Sequence, residues 1–212
     1  LALADLNADA LAETAALARA KGVRVSEHPL DVASRAAVAA LPQAVMAEHG
    51  QVDLVINNAG VALGGSFDQV STENFDWLMS INFDAVVCMC RAFLPLLKQR
   101  PAARIVNVSS LFGLITPAEQ TAYCASKFAV RGFSNALRLE LLDTPVGVTV
   151  VHPGGVATAI ATSAHSHEGT TEQQQQEKMV RAKRMLRMPP PKAAQIILRA
   201  IERDKARVLV GN

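Results

Sequence analysis

Tyr123 and Lys127 stand four residues apart in the stretch Tyr123-Cys124-Ala125-Ser126-Lys127. On a helix, residues at that spacing share a face, so a phenol and an ammonium would meet in one volume of space. Thirteen residues before the tyrosine comes Ser110, just past the strand-like run Arg104-Ile105-Val106-Asn107-Val108. A hydroxyl at the carboxyl end of a strand and a Tyr/Lys pair on the next helix converge where open α/β sheets bind ligands. Together they offer a proton-carrying oxygen, a hydrogen-bonding hydroxyl and a positive charge. Tyr and Lys four apart also occur often by chance, so the pair takes its meaning from the elements that position it.

Those elements alternate. Leu1–Ala4 reads as a strand, followed by a helix near Ala8–Lys21 that Gly22 stops. Val23–Glu27 is strand-like, and Ser34 caps a helix from Arg35 to His49 that ends at Gly50. Val52–Ile56 is a short apolar run of the kind a parallel sheet buries on both faces. A long helix starts at Ser71 or Thr72 and runs to about Lys98; the Tyr123 helix covers roughly Pro117–Leu142. Val148–Val151 is a strand, a helix opens at Pro190 or Pro191 and runs to Arg203, and Arg207–Val210 is a last strand. Repeated β-then-α order predicts a Rossmann-type, doubly wound parallel sheet, three layers of α/β/α, with residues 1–212 in a single domain. The sequence starts and stops inside strand-like runs, which predicts a longer polypeptide.

At 212 residues, with half of them apolar, the chain can bury a full-sized core. Twenty-one basic against nineteen acidic residues leave a net charge of +2, too balanced for a nucleic-acid or membrane surface. The longest apolar stretch, Ala85 to Leu97, holds Arg91 and Pro95 and reads as a buried helix. Cys88, Cys90 and Cys124 have no metal-like spacing and are odd in number, which suits a reducing cytoplasm and no bound metal.

Further motifs sit where strands end. Asn57-Asn58-Ala59-Gly60 follows Val52–Ile56; small residues there admit a ligand to the backbone, and asparagines can tie neighbouring strands. An ordinary Asn/Gly turn has the same composition. Pro153-Gly154 follows the Val148 strand in the same way, with Val156 and Thr158 just beyond. Asn82 lies in mid-helix, where its side chain competes with the backbone and is expected to answer to something outside the helix. Asp5 ends the first strand, where a carboxylate can accept both adenosine-ribose hydroxyls of NAD and repel the extra phosphate of NADP. Asp31, followed by Val32, could bond the adenine edge after the next strand. Thr158 to Met188 breaks the pattern: it is polar, with the run Gln173–Gln176 and the cations Lys178, Arg181, Lys183, Arg184 and Arg187. Its place directly after Pro153-Gly154-Gly155 predicts a substrate lid, or else a solvated surface excursion.

In that order, Asn57-Asn58-Ala59-Gly60, Ser110, the Tyr123–Lys127 stretch and Pro153-Gly154 resemble the short-chain dehydrogenase/reductase family. The resemblance covers nearly the whole chain and is thinnest from Thr158 to Met188. The family opens with a strand, a Thr-Gly-x-x-x-Gly-x-Gly turn that holds pyrophosphate, and a helix; about thirty residues of that kind are absent here. The resemblance implies an oxidoreductase that moves a hydride between a nicotinamide cofactor, NAD rather than NADP, and a secondary alcohol or ketone. Tyr123 would be the general acid/base, Ser110 would hold the substrate oxygen, and Lys127 would bond the nicotinamide ribose. Asn82 would keep a water that links Lys127 to solvent. Lys127 would also lower the phenol's pKa from its usual value near 10; about two units would correspond to roughly 2.7 kcal/mol. The main chain from Asn57 through Ala59 to Gly60 would border adenosine and ribose, and Pro153, Gly154, Val156 and Thr158 the nicotinamide.

Two other readings stand beside this one: an NADP-linked carbonyl reductase, and a non-catalytic fold relative that senses or scaffolds. Apolar residues on the two central helices (Phe83, Val86, Val87, Phe93, Leu94, Phe128, Phe133 and Leu137) exceed what one sheet face needs, and the family points to a homodimer or homotetramer; core packing is the alternative. Small apolar residues near Leu111-Phe112-Gly113-Leu114, Val61–Gly64 and Gly155 are expected to line the substrate pocket.

Overall fold

A computed structural model describes residues 1–161, 163–166, 170–171, 173, 176–177, 180 and 186–211. Its strands are β1 (Ala2–Asp5), β2 (Ser26–Pro29), β3 (Leu54–Asn57), β4 (Leu63–Gly64), β5 (Ala103–Val108), β6 (Val146–Pro153), β7 (His165–Ser166) and β8 (Arg207–Val210). The helices that carry the argument are α1 (Ala8–Arg19), α2 (Arg35–His49), α3 (Thr72–Met79), α4 (Ala85–Leu97), α5 (Thr121–Glu140) and α6 (Pro190–Glu202).

Strands β3, β5, β6 and β8 pair in that order, all parallel, so their carboxyl ends open on one edge. One face is covered by α2, α4 and α5, through Val38, Leu41, Val86, Phe93, Leu97, Val130 and Leu137 against Val55, Ile105 and Val148. On the other face Val106, Val151 and Val210 meet Ala193 and Ile197 of α6. This is the expected three-layer, doubly wound arrangement. Strands β1 and β2 form a separate parallel pair with no ladder to β3. In the doubly wound strand order, an opening strand would lie between β1 and β3; none is among these residues, and Leu54 and Ile56 of β3 stay 39 % and 45 % exposed.

Helix starts follow local chemistry. Ser34 and Ser71 accept hydrogen bonds from the N–H groups of Ala37 and Asn74, Asn7 does the same for Ala10, and Gly50 closes α2 in the left-handed region at φ +73°. Three boundaries differ from the sequence reading. The second strand begins at Ser26 rather than Val23, because its pairing starts at Ala2 of β1. The Tyr123 helix begins at Thr121, after Glu119 takes a positive φ of 61° that interrupts helical geometry. The long helix is interrupted: five residues, Ser80–Asp84, form a π-turn between α3 and α4.

By length and composition the run Thr72–Leu97 could cross a membrane. Within it Leu78, Val86, Cys90, Phe93 and Leu97 are buried. Of the apolar residues considered for a subunit contact, Val86, Phe93 and Leu137 are core, and Phe83 packs edge-on to Phe133 at 6.3 Å; Phe128 is 37 % exposed.

Candidate active site

Strand β5 ends at Val108, and Ser109 continues along β6 by donating its N–H to the Val151 carbonyl at 2.8 Å. Ser110 then turns the chain: its Oγ accepts the Phe112 N–H at 3.1 Å, capping a short 3-10 turn over Leu111–Gly113. Gly113 is the close approach between this turn and α5. A Cβ there would strike Ser109 Oγ and lie 2.8 Å from the Lys127 carbonyl oxygen, to which Ser109 Oγ donates. A glycine at this point lets the serine loop rest directly on the helix that carries Tyr123 and Lys127.

Tyr123 and Lys127 share one face of α5, as their spacing predicts. The ring of Tyr123 packs edge-on to Phe112 at 6.0 Å, and its phenol lies near enough to the Ser110 side chain for that hydroxyl to favour the ionised form. Lys127 is buried; its Nζ lies 5.7 Å from the Tyr123 ring centroid and donates to the Val108 carbonyl at 3.3 Å. Burial pulls the Lys127 pKa down to about 8.

The electrostatic expectation for Tyr123 is overturned. Burial pushes the phenol's pKa up from its ordinary value, and the Ser110 hydroxyl only partly opposes this. The Lys127 ammonium lies over the ring and donates to the Val108 carbonyl, and burial of the phenol outweighs its pull.

Asn82 is fully buried at the π-turn, and what it answers to is Val61. Its Oδ1 accepts the Val61 N–H at 2.8 Å, and its Nδ2 donates to the Val61 carbonyl at 3.0 Å and to Ser126 Oγ at 3.2 Å. Ser126 passes the connection on, donating to the Tyr123 carbonyl at 2.8 Å. At Gly60 a Cβ would come within 3.2 Å of Asn82 Oδ1 and 3.3 Å of Lys127 Nζ. The Asn-Asn-Ala-Gly turn therefore lies directly on the Tyr/Lys set.

Asn57 ties strands as expected: its Nδ2 donates to Asn107 Oδ1 on β5 at 2.8 Å, and Asn107 donates to Ser134 of α5 at 2.9 Å. The side chain is thus used inside the sheet. Cys90 completes this buried network; its thiol pKa is pushed up to about 12, chiefly by burial.

Pro153 pairs with Val210, and the Gly154 N–H donates to the Val210 carbonyl at 2.6 Å. Gly211, at φ +133°, has no room for a side chain, because a Cβ would run into the Gly154 carbonyl. Val156 bridges Met188, so the excursion returns to the point where it leaves, and Thr158 donates its N–H to the Val156 carbonyl at 2.9 Å. Within it, His165 pairs with Leu63 and stacks on Trp77 at 4.3 Å. Lys178, Arg181, Lys183, Arg184 and part of the glutamine run lie outside the described residues.

Asp5 and Asp31 are not drawn into this cluster. Both are exposed, each accepting a main-chain N–H two residues on, from Asn7 and Ala33, at 2.9 Å. Asp31 stands two residues past the end of β2, and Val32 packs partly buried against the core. Of the expected pocket residues, Leu111 lies against Gly154 and stays 36 % exposed, whereas Leu63 and Gly113 are buried. A separate cavity of about 400 Å³ is lined by Thr116, Thr121, Cys124 and Phe128. At about 100° per residue it lies on the side of α5 turned away from Tyr123 and Lys127. Sequence reasoning gave no role to Ser109, Ser126 or His152 and placed Gly113 only among the pocket residues; His152 left a trace, as a polar residue ending a valine-rich strand.

Comparison with known proteins agrees with this geometry. Residues 1–169 match the family model for short chain dehydrogenase. The chain is 44 % identical over 213 residues to a putative oxidoreductase, SadH, of Mycobacterium tuberculosis, covering all of this chain and 76 % of that protein. A 3-ketodihydrosphingosine reductase of Bacteroides thetaiotaomicron is 36 % identical over 66 % of this chain and 52 % of its own length. Among solved structures, a short chain dehydrogenase/reductase from Burkholderia phymatum in complex with NAD superposes with a TM-score of 0.91 at 31 % identity, over 99 % of this chain and 79 % of that one. A metagenomic short-chain oxidoreductase in complex with NADP gives a TM-score of 0.69 at 32 % identity, over 73 % and 71 % of the two chains.

Proposed function

We propose, since this chain belongs to the short-chain dehydrogenase/reductase family, that it moves a hydride between NAD and a secondary alcohol or ketone, with Tyr123 as general acid/base. The observation that carries this reading is the buried contact of Ser110 with the Tyr123 phenol, with Lys127 Nζ across the same ring. The residues fit a nicotinamide cofactor in two respects. Gly60 lets the Asn-Asn-Ala-Gly turn rest against Asn82 and Lys127, beside the Tyr/Lys pair, and Asp5 keeps an exposed carboxylate suited to ribose hydroxyls. The cofactor, when bound, supplies the hydride chemistry. Asn57 through Ala59 and Gly60 would border its adenosine side; Pro153, Gly154, Val156 and Thr158 its nicotinamide side, with Lys127 on the ribose.

Tyr123 gives its proton to the carbonyl oxygen in reduction and takes one from the alcohol in oxidation. A phenol held protonated by burial is in the form that gives a proton to the carbonyl oxygen in reduction. Ser110 donates a hydrogen bond to the substrate oxygen, fixing it beside the phenol. Lys127, cationic below about 8, stabilises negative charge on the phenol oxygen as the proton leaves. Asn82 holds the Val61 turn against the site and keeps a water between Lys127 and solvent. Exposed Leu111 and the Phe112 ring make the substrate side apolar, suiting an uncharged, hydrophobic alcohol or ketone. The segment 158–188 would cover it as a lid. A homodimer or homotetramer would use the outward surface of α4 and α5 that Phe128 leaves open. The test is a panel of secondary alcohols and ketones with NAD and NADH, followed by NADH absorbance. Turnover of at least one member supports the reading; none with NAD but turnover with NADP would favour the carbonyl-reductase alternative.

A further inference from the structure

Next to Ser110 lies a buried histidine that none of these steps uses. His152 is the last residue but one of β6 and is 1 % exposed. Its Nδ1 lies 2.9 Å from the main-chain oxygen of Ser110. A carbonyl oxygen only accepts, so Nδ1 must carry the proton and donate. The other ring nitrogen, Nε2, is buried without a hydrogen-bond partner, the one side-chain nitrogen or oxygen in that state among the described residues. An orphaned polar atom is costly in an interior, and another valine would have continued the run before it at no such cost. What offsets that cost is the bond made by Nδ1.

That bond acts on a residue beyond the end of the strand ladder, held otherwise only by its own turn. The β5–β6 ladder ends at the pair Val108 and Val151, and Ser109 makes the last contact beyond it. The Ser110 carbonyl oxygen accepts the Gly113 N–H at 3.0 Å as well as His152 Nδ1, so both its lone pairs are used. Ser110 Oγ accepts the Phe112 N–H, and its own proton is left to donate toward Tyr123.

We propose that His152, as the neutral ring protonated on Nδ1, is a positioning residue that clamps the Ser110 carbonyl and so aims the Ser110 hydroxyl at Tyr123 and the substrate oxygen. This rests on the roles given to Ser110 and Tyr123 above. The charges that bear on the ring are Arg131 from α5 and Arg207 from β8, and both disfavour a second proton, as burial does. A second proton would have to sit on Nε2, where nothing accepts it.

His152→Leu keeps bulk and removes the donor, while His152→Asn keeps a donor near the Nδ1 position. Both are compared with Tyr123→Phe and Ser110→Ala in the full natural polypeptide, using an alcohol from the panel and NAD. His152→Leu is expected to lower kcat by at least about tenfold with the KM for NAD unchanged, and His152→Asn to recover to within about threefold of the unaltered protein. On a Ser110→Ala background His152→Leu should add no further loss, because it acts through that serine. If Tyr123→Phe turns over normally, the general acid/base reading falls and takes this proposal with it. If Tyr123→Phe is inactive while His152→Leu is not, or Asn loses as much as Leu, or the losses multiply on Ser110→Ala, the proposal for His152 fails alone. Nitrogen NMR of the labelled ring in the unaltered protein needs no substrate: the neutral ring with its proton on Nδ1 at neutral pH is expected, and a proton on Nε2 contradicts it.

Discussion

The two ends of the proposed cofactor cleft are built differently. Around Ser110, Tyr123 and Lys127, buried polar groups are held by main chain from other elements: Lys127 by Val108, Ser109 by Lys127, Asn82 by Val61, His152 by Ser110. At Asp5 and Asp31 the carboxylates are exposed and bonded two residues away, on a strand pair that makes no ladder to the main sheet. Where chemistry needs an oxygen fixed within a fraction of an ångström, the fold over-determines it; where a carboxylate has only to meet a ribose, a local turn suffices. Substitutions in the first region should therefore change both rate and stability, in the same or in opposite directions, and those in the second should change ligand choice alone.

Lys127→Met should give the largest change and separate rate from stability. Turnover should fall by about 10²–10⁴-fold as the charge beside the phenol is lost. Stability at neutral pH should rise, because holding the buried ammonium below its ordinary 10.5, at about 8, costs about 3 kcal/mol. Losing the bond to Val108 returns about 1 kcal/mol of that gain. The sign follows from proton uptake: between about 8 and 10.5 the unfolded chain binds the extra proton, so the unaltered protein gains stability as pH rises through that window. The Met variant should lack this rise. Urea melts across that pH range measure it, and a variant less stable than the unaltered protein at neutral pH would break the contrast.

Gly113→Ala comes next. Its methyl must push apart Ser109 and the Lys127 carbonyl, costing about 1–3 kcal/mol and moving Ser110 away from the phenol. Thermal melts and kcat should fall together; a loss of stability with kcat intact would mean that the close approach does not position the serine.

Asp5→Ala should be the mildest. Stability should change by no more than about 0.5 kcal/mol, as for an exposed surface site. Preference for NAD over NADP should narrow by about tenfold. Preference for NADP in the unaltered protein would remove Asp5 from its assigned role.

The same division decides what could be read in the sequence. Tyr123 and Lys127, the caps at Ser34 and Ser71, Gly50, and the strand-end motifs depend on spacings within one segment, and each is where its spacing put it. The packing role of Gly113 could not be read, because its value lies in contact with a carbonyl on a helix that starts eight residues later. The π-turn was legible only as an awkward Asn82; that the residue grips Val61 depends on two segments meeting. The start of β2 depends on its register with β1. The rise in the Tyr123 pKa was missed because spacing supplies the neighbouring charge but not the depth of burial.

The most direct test of the central claim is Tyr123→Phe in the full natural polypeptide, with NADH binding followed by fluorescence and turnover followed by absorbance in the same preparation. Cofactor affinity should stay within about threefold while turnover drops below detection, by at least about 10³-fold. Turnover comparable to the unaltered protein, with cofactor still bound, would contradict it.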